Sequence, residues 1–248
     1  MVEHLLAIDD VGEDLEKILR WAIEFKRAWK NGDDVAQNFF PLDTMSIGSI
    51  YEKPSTRTRV SFEVGINRLG GYPLTLLKND IQLGKSESVA DTANVLSRFL
   101  GGITYRCFAH ADVSELAENS DVPVINALSD KHHPCQAAAD LMTIIEKFDD
   151  TEDLKVSWVG DGNNVLHDLM LACAMLGIDI HYAVPKGYEP DEEVVQRTKD
   201  LAQKNGSKVV ATNDPIEAVK DAHVVYSDAF VSMGEENMEG KANDFDGF

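Results

Sequence analysis

Short β-rich apolar runs alternate along this 248-residue chain with longer segments whose apolar residues recur at helical spacing. Strands that alternate with helices of this length predict parallel sheets with right-handed crossover connections. An acidic stretch without apolar residues, 149–153, interrupts the alternation, which then restarts. We therefore predict an α/β protein built from two tandem parallel-sheet domains, residues 1–149 and residues 150–248.

The same spacing places the individual helices and strands. In the first half we predict helices over 13–30, 58–69, 88–99, 112–119 and from about 132–136 through 148, with strands at 46–51, 72–77, 103–108 and 122–128. In the second half we predict strands at 155–160, 178–184, 208–212 and 223–228, alternating with helices over 164–176, 190–204 and 214–221.

Charge and composition exclude several classes of protein. Acidic residues outnumber basic ones 43 to 23, and the resulting net charge of −20 repels nucleic acid and anionic membranes. The N-terminus does not resemble a signal peptide, and no apolar run approaches the roughly 20 residues needed to span a bilayer. Cys107, Cys135 and Cys173 are too few and too far apart for a disulfide framework or a zinc site. We expect a cytoplasmic protein that binds neither nucleic acid nor membrane.

The segment Ser55–Arg59 lies between a predicted strand and the helix that follows it, and it combines three hydroxyls with two arginines. Pro54 marks the turn, and Gly70 with Gly71 marks the end of the helix. Helix capping by serine or threonine explains one or two of these residues, but not two arginines beside the cap. A helix N-terminus attracts phosphate and other oxyanions through its free N–H groups and its dipole. We therefore predict an oxyanion site formed by the hydroxyls, the backbone N–H groups and Arg57.

Other polar residues stand at the ends of predicted strands or the starts of helices. Arg106 interrupts an apolar strand pattern; such an arginine usually faces solvent, but near the C-terminal end of a parallel strand it would point into the ligand crevice. His133 precedes Pro134 at a predicted helix start, and Gln136 lies one turn further on. Either residue alone can be incidental; together they could donate hydrogen bonds to a carbonyl or phosphate oxygen. His132 is predicted to lie on the surface.

The strand-to-helix turn Gly160-Asp-Gly-Asn-Asn164 is similar to a dinucleotide-binding fingerprint, but Val165 replaces the third glycine. The next strand is not followed by an acidic residue for a ribose, so we do not predict an NAD site. The two asparagines can be helix N-caps or ligands for the carboxylate and amine of a zwitterion. Asp228, at the end of the last clear strand, is either a loop residue or a partner for a substrate ammonium.

Taken together, these motifs resemble the aspartate/ornithine carbamoyltransferase family, and the Asp161–Asn164 turn with Ser232-Met233-Gly234 resembles its ornithine branch. The order and spacing of the motifs match over nearly the whole chain. The resemblance implies a carbamoyl-phosphate domain followed by an amino-acid domain, assembled as a homotrimer or a multiple of trimers. It also implies transfer of the carbamoyl group of carbamoyl phosphate to the δ-amine of L-ornithine, giving L-citrulline and phosphate, without a metal or organic cofactor.

The resemblance further implies a role for each matching residue. Carbamoyl phosphate would be bound by Ser55, Thr56, Arg57, Thr58, Gln82, Arg106, His133 and Gln136, with Gln82 extending toward a neighbouring subunit's site. Catalysis would depend on Arg106, His133 and Thr58, which stabilise the negative charge that develops on the carbonyl oxygen when the amine attacks. Ornithine would be bound by Asn164, Asp228, Ser232 and Met233.

The family also carries a His-Cys-Leu-Pro motif, a later arginine and a C-terminal helix, and this sequence ends at Phe248 before any of them. We therefore expect the second domain to be incomplete in this chain. We expect the chain to bind carbamoyl phosphate but to turn over poorly. Two alternatives stay open. One is carbamoyl transfer to another diamine such as putrescine, and the other is a carbamoyl-phosphate-binding fragment without turnover.

Overall fold

The structure is a computed structural model that describes residues 3–230 and 241–248. It contains two four-stranded sheets, and every strand pair in both is parallel. The contacts divide the chain into two compact units. One unit comprises Met1–Val11 and Trp21–Cys135, and the other comprises Gly12–Arg20 and Gln136–Phe248. The predicted α/β class with two tandem parallel sheets is confirmed.

The first sheet has the strand order β2-β1-β3-β4. After a 3-10 segment at Ile8–Asp14, the elements in chain order are α1 (Leu15–Lys30), α2 (Asp34–Gln37), β1 (Ser46–Tyr51), α3 (Arg57–Arg68), β2 (Tyr72–Leu77), α4 (Val89–Leu96), β3 (Gly102–Arg106), α5 (His110–Glu118), β4 (Val124–Leu128) and α6 (Pro134–Phe148).

The second sheet has the strand order β7-β6-β5-β8. Its elements in chain order are β5 (Lys155–Val159), α7 (Asn164–Met175), β6 (Asp179–Ala183), α8 (Glu192–Asn205), β7 (Val209–Thr212), α9 (Pro215–Val219) and β8 (Val224–Tyr226). The last described helix is α10 (Lys241–Asp244).

The register of the first sheet assigns the side chains to its two faces. Tyr51 lies opposite Leu77 on β2 and opposite Arg106 on β3, so these three side chains share one face. The neighbouring positions Ile50 and Tyr105 therefore point to the other face. They join a buried apolar cluster that also contains Ile103, Val113, Leu116 and Val124.

The register of the second sheet brings two loops to one edge. β5 and β8 are neighbours, with Trp158 opposite Tyr226. Because the strands are parallel, the turn that follows β5 and the segment that follows β8 leave the sheet at the same edge. Residues 165–174 of α7 are all buried. The middle strand and its helix therefore form a rigid support for that edge.

Several predicted boundaries shift by a few residues. The predicted strands over 103–108 and 223–228 end earlier, at Arg106 and Tyr226. In the first case the ladder with β4 shifts register between Tyr105 and Arg106. The compact units change over within the first turn of α6, whereas each sheet lies wholly on its own side of residue 149. None of the helices in the described part of the chain is both long and apolar enough to span a membrane.

Candidate active site

The turn before α3 leaves hydrogen-bond donors available. α3 begins at Arg57, and the preceding residue, Thr56, makes no side-chain capping hydrogen bond. Ser55 and Thr58 beside it are half-buried, whereas Thr56 and Arg57 are exposed. The first N–H groups of a helix have no partner within the helix itself, so an uncapped N-terminus can donate to an oxyanion.

The two arginines of this turn have different surroundings. Arg59 Nε donates to Glu63 Oε1 at 2.9 Å, one helical turn away. Glu63 Oε1 also accepts from Thr75 Oγ1 at 2.5 Å, and these two hydrogen bonds, that from Thr75 first, lower the pKa of the Glu63 carboxyl. Arg57 pairs with no carboxylate in the described part of the chain. Arg57, and not Arg59, is therefore the cation available to a ligand.

Arg106 is a buried cation at the C-terminal end of β3. Its side chain is only 6% exposed, so the alternative of a solvent-facing strand arginine does not hold. Nε has no hydrogen-bond partner, and no acidic side chain in residues 3–230 or 241–248 pairs with the guanidinium. Burial lowers the pKa of Arg106, and the positive charge of Arg57 lowers it further. A buried charge without a partner is costly, and a bound anion would remove that cost.

A third cation lies close to Arg106 and was not found by the sequence analysis. Lys53 Nζ lies 4.6 Å from the centre of the Phe108 ring. Burial is the main cause that lowers the pKa of Lys53, and the positive charge of Arg106 is the second. The available signal was its position two residues before Ser55. Lys53, Arg57 and Arg106 therefore form a cluster of cations in the first compact unit.

The two histidines before α6 are both buried. His133 is 9% exposed. The prediction that His132 lies on the surface was wrong, because His132 is 2% exposed and its ring packs edge-to-face on His110 with 5.0 Å between centroids. The carbonyl of His132 accepts from Ser129 N at 2.9 Å. This tight turn directs both rings into the protein.

Gln136 is held by its amide nitrogen. Nε2 donates to Asp140 Oδ1 at 2.9 Å and lies 3.5 Å from the hydroxyl of Tyr226, the last residue of β8. Burial raises the pKa of Asp140 to about 6, against the hydrogen bonds from Gln136 and Tyr226 that lower it. Donation from Gln136 to a ligand oxygen stays a prediction; in this arrangement the amide nitrogen faces Asp140 and Tyr226.

Gln82 lies in the loop between β2 and α4. Its side chain is exposed, and its Oε1 accepts a hydrogen bond from Ser86 Oγ at 3.1 Å. The loop ends at Ser88, whose hydroxyl caps α4 by accepting from Asp91 N. Gln82 therefore lies on the surface of the first unit.

The turn after β5 combines structural and exposed polar groups. Asn163 is an N-cap of α7, since its side chain accepts from the N–H groups of Val165 and Leu166. Asn164, the first residue of α7, is half-buried, and Asp228 is exposed two residues after β8. Both stand at the shared edge of β5 and β8. The other predicted ornithine ligands, Ser232 and Met233, lie outside the described residues.

The turn is also braced by a buried ion pair. Lys241 Nζ lies 2.6 Å from Asp161 Oδ2, and both residues are less than 10% exposed. In the sequence Asp161 is only one residue of the turn motif, and the pairing shows that its carboxylate is used inside the protein. Within the described ranges, no three His, Cys, Asp or Glu side chains are grouped closely enough to hold a metal ion.

Comparison with known proteins places both halves of the chain in one family. Residues 3–146 match the carbamoyl-phosphate-binding domain of the aspartate/ornithine carbamoyltransferases. Residues 152–248 match the aspartate/ornithine-binding domain of the same family. The two matches fall on the two parallel sheets described above.

Individual relatives agree with the domain matches. The chain is 50% identical over 238 residues to an ornithine carbamoyltransferase of Bacillus subtilis, covering 96% of this chain and 72% of that protein. It is 47% identical over 237 residues to a catabolic ornithine carbamoyltransferase of Thermoplasma volcanium, covering 96% and 76%. The solved structure of the Pyrococcus furiosus ornithine carbamoyltransferase superposes with a TM-score of 0.93 at 45% identity, covering 99% of this chain and 78% of that one. The chain therefore belongs to the aspartate/ornithine carbamoyltransferase family.

Proposed function

We propose that this protein transfers the carbamoyl group of carbamoyl phosphate to the δ-amine of L-ornithine, giving L-citrulline and phosphate. The observation that carries the proposal is the buried, unpaired guanidinium of Arg106 beside Arg57 and the uncapped start of α3. The relatives named above are ornithine carbamoyltransferases, which supports L-ornithine over putrescine as the acceptor.

Residues 1–149 bind carbamoyl phosphate in this proposal. The phosphate lies at the start of α3, where the N–H groups and the side chains of Ser55, Thr56, Arg57 and Thr58 neutralise its charge. Arg106 and His133 donate to the carbamoyl oxygen, with assistance from Thr58. These donors favour the transition state, because negative charge develops on that oxygen as the amine attacks.

Residues 150–248 bind the amino acid. Asp228 is exposed and carries a carboxylate suited to the ornithine ammonium, and Asn164 can contact the carboxylate end. Ser232 and Met233 complete this set by their positions in the family motif. The proposal requires no metal or organic cofactor, because the developing charge is met by Arg106 and the leaving phosphate accepts a proton.

The proposed assembly is a cytoplasmic homotrimer or a multiple of trimers. Gln82 lies on an exposed loop, which allows it to reach the site of a neighbouring subunit.

Within one subunit, Gln136 also contacts the carbamoyl group. Its amide oxygen is the polar atom left for that contact, because its nitrogen is held by Asp140.

A citrulline-forming assay with L-ornithine and putrescine in parallel tests the reaction. We expect product from L-ornithine at a catalytic efficiency well above that for putrescine. A preference for putrescine would contradict the proposal for the acceptor, and no carbamoyl product from either diamine would contradict the proposal for the reaction.

Arg57→Ala tests the phosphate site. We expect it to weaken binding of carbamoyl phosphate about 10- to 100-fold in calorimetry, since a charge-assisted hydrogen bond contributes about 1.5–3 kcal/mol, while ornithine binding changes little. Arg59→Ala is the matched control, because Arg59 is held by Glu63 and should change carbamoyl phosphate binding less than about 2-fold. Equal losses in R57A and R59A, or equal effects on both ligands, would contradict the assignment.

A further inference from the structure

Four buried polar side chains share one face of the first sheet. Ser49 on β1 lies opposite Thr104 on β3, and two residues further along Tyr51 lies opposite Arg106. Each of the four is at most 6% exposed. Within the described residues, their three hydroxyl oxygens and the Nε of Arg106 have no hydrogen-bond partner. Tyr51 and Arg106 are the last residues of their strands, so this pair lies nearest the turn at Ser55–Arg59.

Tyr51 and Arg106 carry complementary groups. The Nε–H of an arginine only donates, whereas a phenol oxygen can accept while its own hydrogen points elsewhere. Neighbouring strands lie about 4.8 Å apart, and opposite positions project to the same face, so the two long side chains are neighbours. A buried donor and a buried acceptor without partners are each costly, and one hydrogen bond between them removes both costs.

The charges around the Tyr51 hydroxyl set the direction of its dipole. Burial is the main cause that raises the pKa of Tyr51; the nearby hydroxyl of Ser49 lowers it, the negative charge of Glu63 raises it, and the positive charges of Arg59 and Arg106 lower it. Burial lowers the pKa of Arg106, and Tyr51 is the first of the neighbours that raise it. A hydroxyl close to both an anion and a cation turns its hydrogen toward the anion. The oxygen of Tyr51 therefore presents its lone pairs to Arg106.

We propose that Tyr51 is a positioning residue for Arg106: its hydroxyl oxygen accepts from Arg106 Nε–H when a ligand is bound and so holds the plane of the guanidinium. The guanidinium is a rigid fork, so fixing Nε directs the two terminal nitrogens. These nitrogens then donate to the carbamoyl oxygen, and the inference rests on the proposed function for that role of Arg106. A charged donor that is already held in place needs no reorganisation as negative charge develops on that oxygen.

The first test is Tyr51→Phe, which removes the hydroxyl and keeps the ring. The ligand is phosphonoacetamide, a stable analogue of carbamoyl phosphate in which a CH2 group replaces the bridging oxygen. We expect Y51F to bind it about 3- to 10-fold more weakly in calorimetry, the range of one hydrogen bond. Methylphosphonate lacks the carbonyl, so its affinity should change less than about 2-fold.

Tyr72→Phe is the matched control. Tyr72 lies on β2 of the same sheet, but its side chain is 66% exposed. The same loss of one phenol hydroxyl should therefore leave the affinities for phosphonoacetamide and methylphosphonate unchanged.

A double-mutant cycle shows whether Tyr51 acts through Arg106. Arg106→Ala removes Nε, so adding Y51F to it should cause less than about 2-fold further loss of phosphonoacetamide affinity. Magnetic resonance of protein with isotope-labelled arginine reports the hydrogen bond itself, because the Nε–H signal of Arg106 is the one that R106A lacks. Phosphonoacetamide should shift this signal downfield in the wild type and in Y72F, and much less in Y51F.

Thermal unfolding separates this role from a structural one. Y51F removes a buried hydroxyl that has no partner within the described residues, so its unfolding temperature without ligand should equal or exceed that of the wild type. An unchanged phosphonoacetamide affinity in Y51F, an equal loss in the R106A background, a full Nε–H shift in Y51F, or a lowered unfolding temperature would overturn the inference alone. Failure of the wild-type protein to bind phosphonoacetamide would overturn the proposed function as well.

Discussion

At the scale of single residues, two buried charges stand out because neither has an opposite charge beside it. Arg106 is buried next to another cation, and Asp140 is buried against an amide, a phenol and a thiol. Both arrangements destabilise the unliganded protein, since burial disfavours the charged form of each group. Such costs are expected at binding sites, where a ligand provides the missing partner.

Replacing Asp140 by asparagine is expected to stabilise the protein at neutral pH. The pKa of Asp140 is about 6 in the folded chain against 3.8 for an unperturbed aspartate, so the folded state holds the proton more tightly. Its contribution to stability is present below pH 3.8 and is lost as the pH rises through 6. D140N, which never ionises, should therefore exceed the wild type by about 2 kcal/mol in the free energy of unfolding at pH 8.

Urea unfolding at several pH values between 5 and 8 measures this difference. The gain from D140N should shrink steadily toward pH 5, where the wild-type carboxyl is largely protonated. D200N, which changes an exposed aspartate, should show no such trend. A gain that is independent of pH would show that Asp140 titrates normally.

At the scale of secondary structure, the helices differ in how their first turns are capped. Ser88 caps α4 and Asn163 caps α7, whereas α3 begins without a capping side chain at the proposed phosphate site. In a capped helix, a side-chain oxygen of the protein accepts a hydrogen bond from one or two of the first backbone N–H groups. α3 has no such capping oxygen, so its first N–H groups remain available to a ligand at the proposed phosphate site.

The two adjacent asparagines of the turn after β5 should respond differently to substitution. Asn163→Ala removes the acceptor for two N–H groups and should lower the free energy of unfolding by about 1 kcal/mol, whereas Asn163→Asp keeps a capping oxygen and should lower it much less. Asn164→Ala should instead weaken ornithine binding. Thermal unfolding and calorimetry of the three variants check this, and equal destabilisation by N163A and N163D would contradict the capping role.

At the scale of the whole molecule, a strongly acidic chain carries a local cluster of cations. The net charge is −20, yet Lys53, Arg57 and Arg106 converge in the first compact unit. The overall charge keeps the protein away from polyanions, while short-range cations retain a small anion. The self-repulsion of such a surface is screened by salt over roughly 10 Å at 0.1 M ionic strength.

Stability is therefore expected to increase with ionic strength. Raising the salt concentration from about 20 mM to about 500 mM at pH 7.5 should raise the free energy of unfolding by about 1 kcal/mol, because screening weakens repulsion among the acidic groups. Near pH 5, close to the sequence pI of about 4.6, the same change should have a smaller effect. Urea midpoints at both pH values measure the two effects, and a salt effect of equal size at both would contradict this explanation.

The sequence by itself determined the fold class, the strands of both sheets and the turn at Ser55–Arg59. This was possible because the period of the apolar residues encodes which faces are buried, and a strand–turn–helix junction rich in hydroxyls and arginines has a direct chemical meaning. It also placed Arg106 at the end of a strand, where parallel sheets bind ligands.

Only the tertiary structure decided what each polar group does. It buried His132, paired Asp161 with Lys241, brought Lys53 close to Arg106, and placed Tyr226 beside the Gln136 amide. These contacts join residues on different strands and helices, and a local period carries no information about which distant elements pack together. Even Asp140, one turn from Gln136, becomes informative only when its burial is known, because Gln196 and Asp200 form the same hydrogen bond at the same spacing on an exposed helix face.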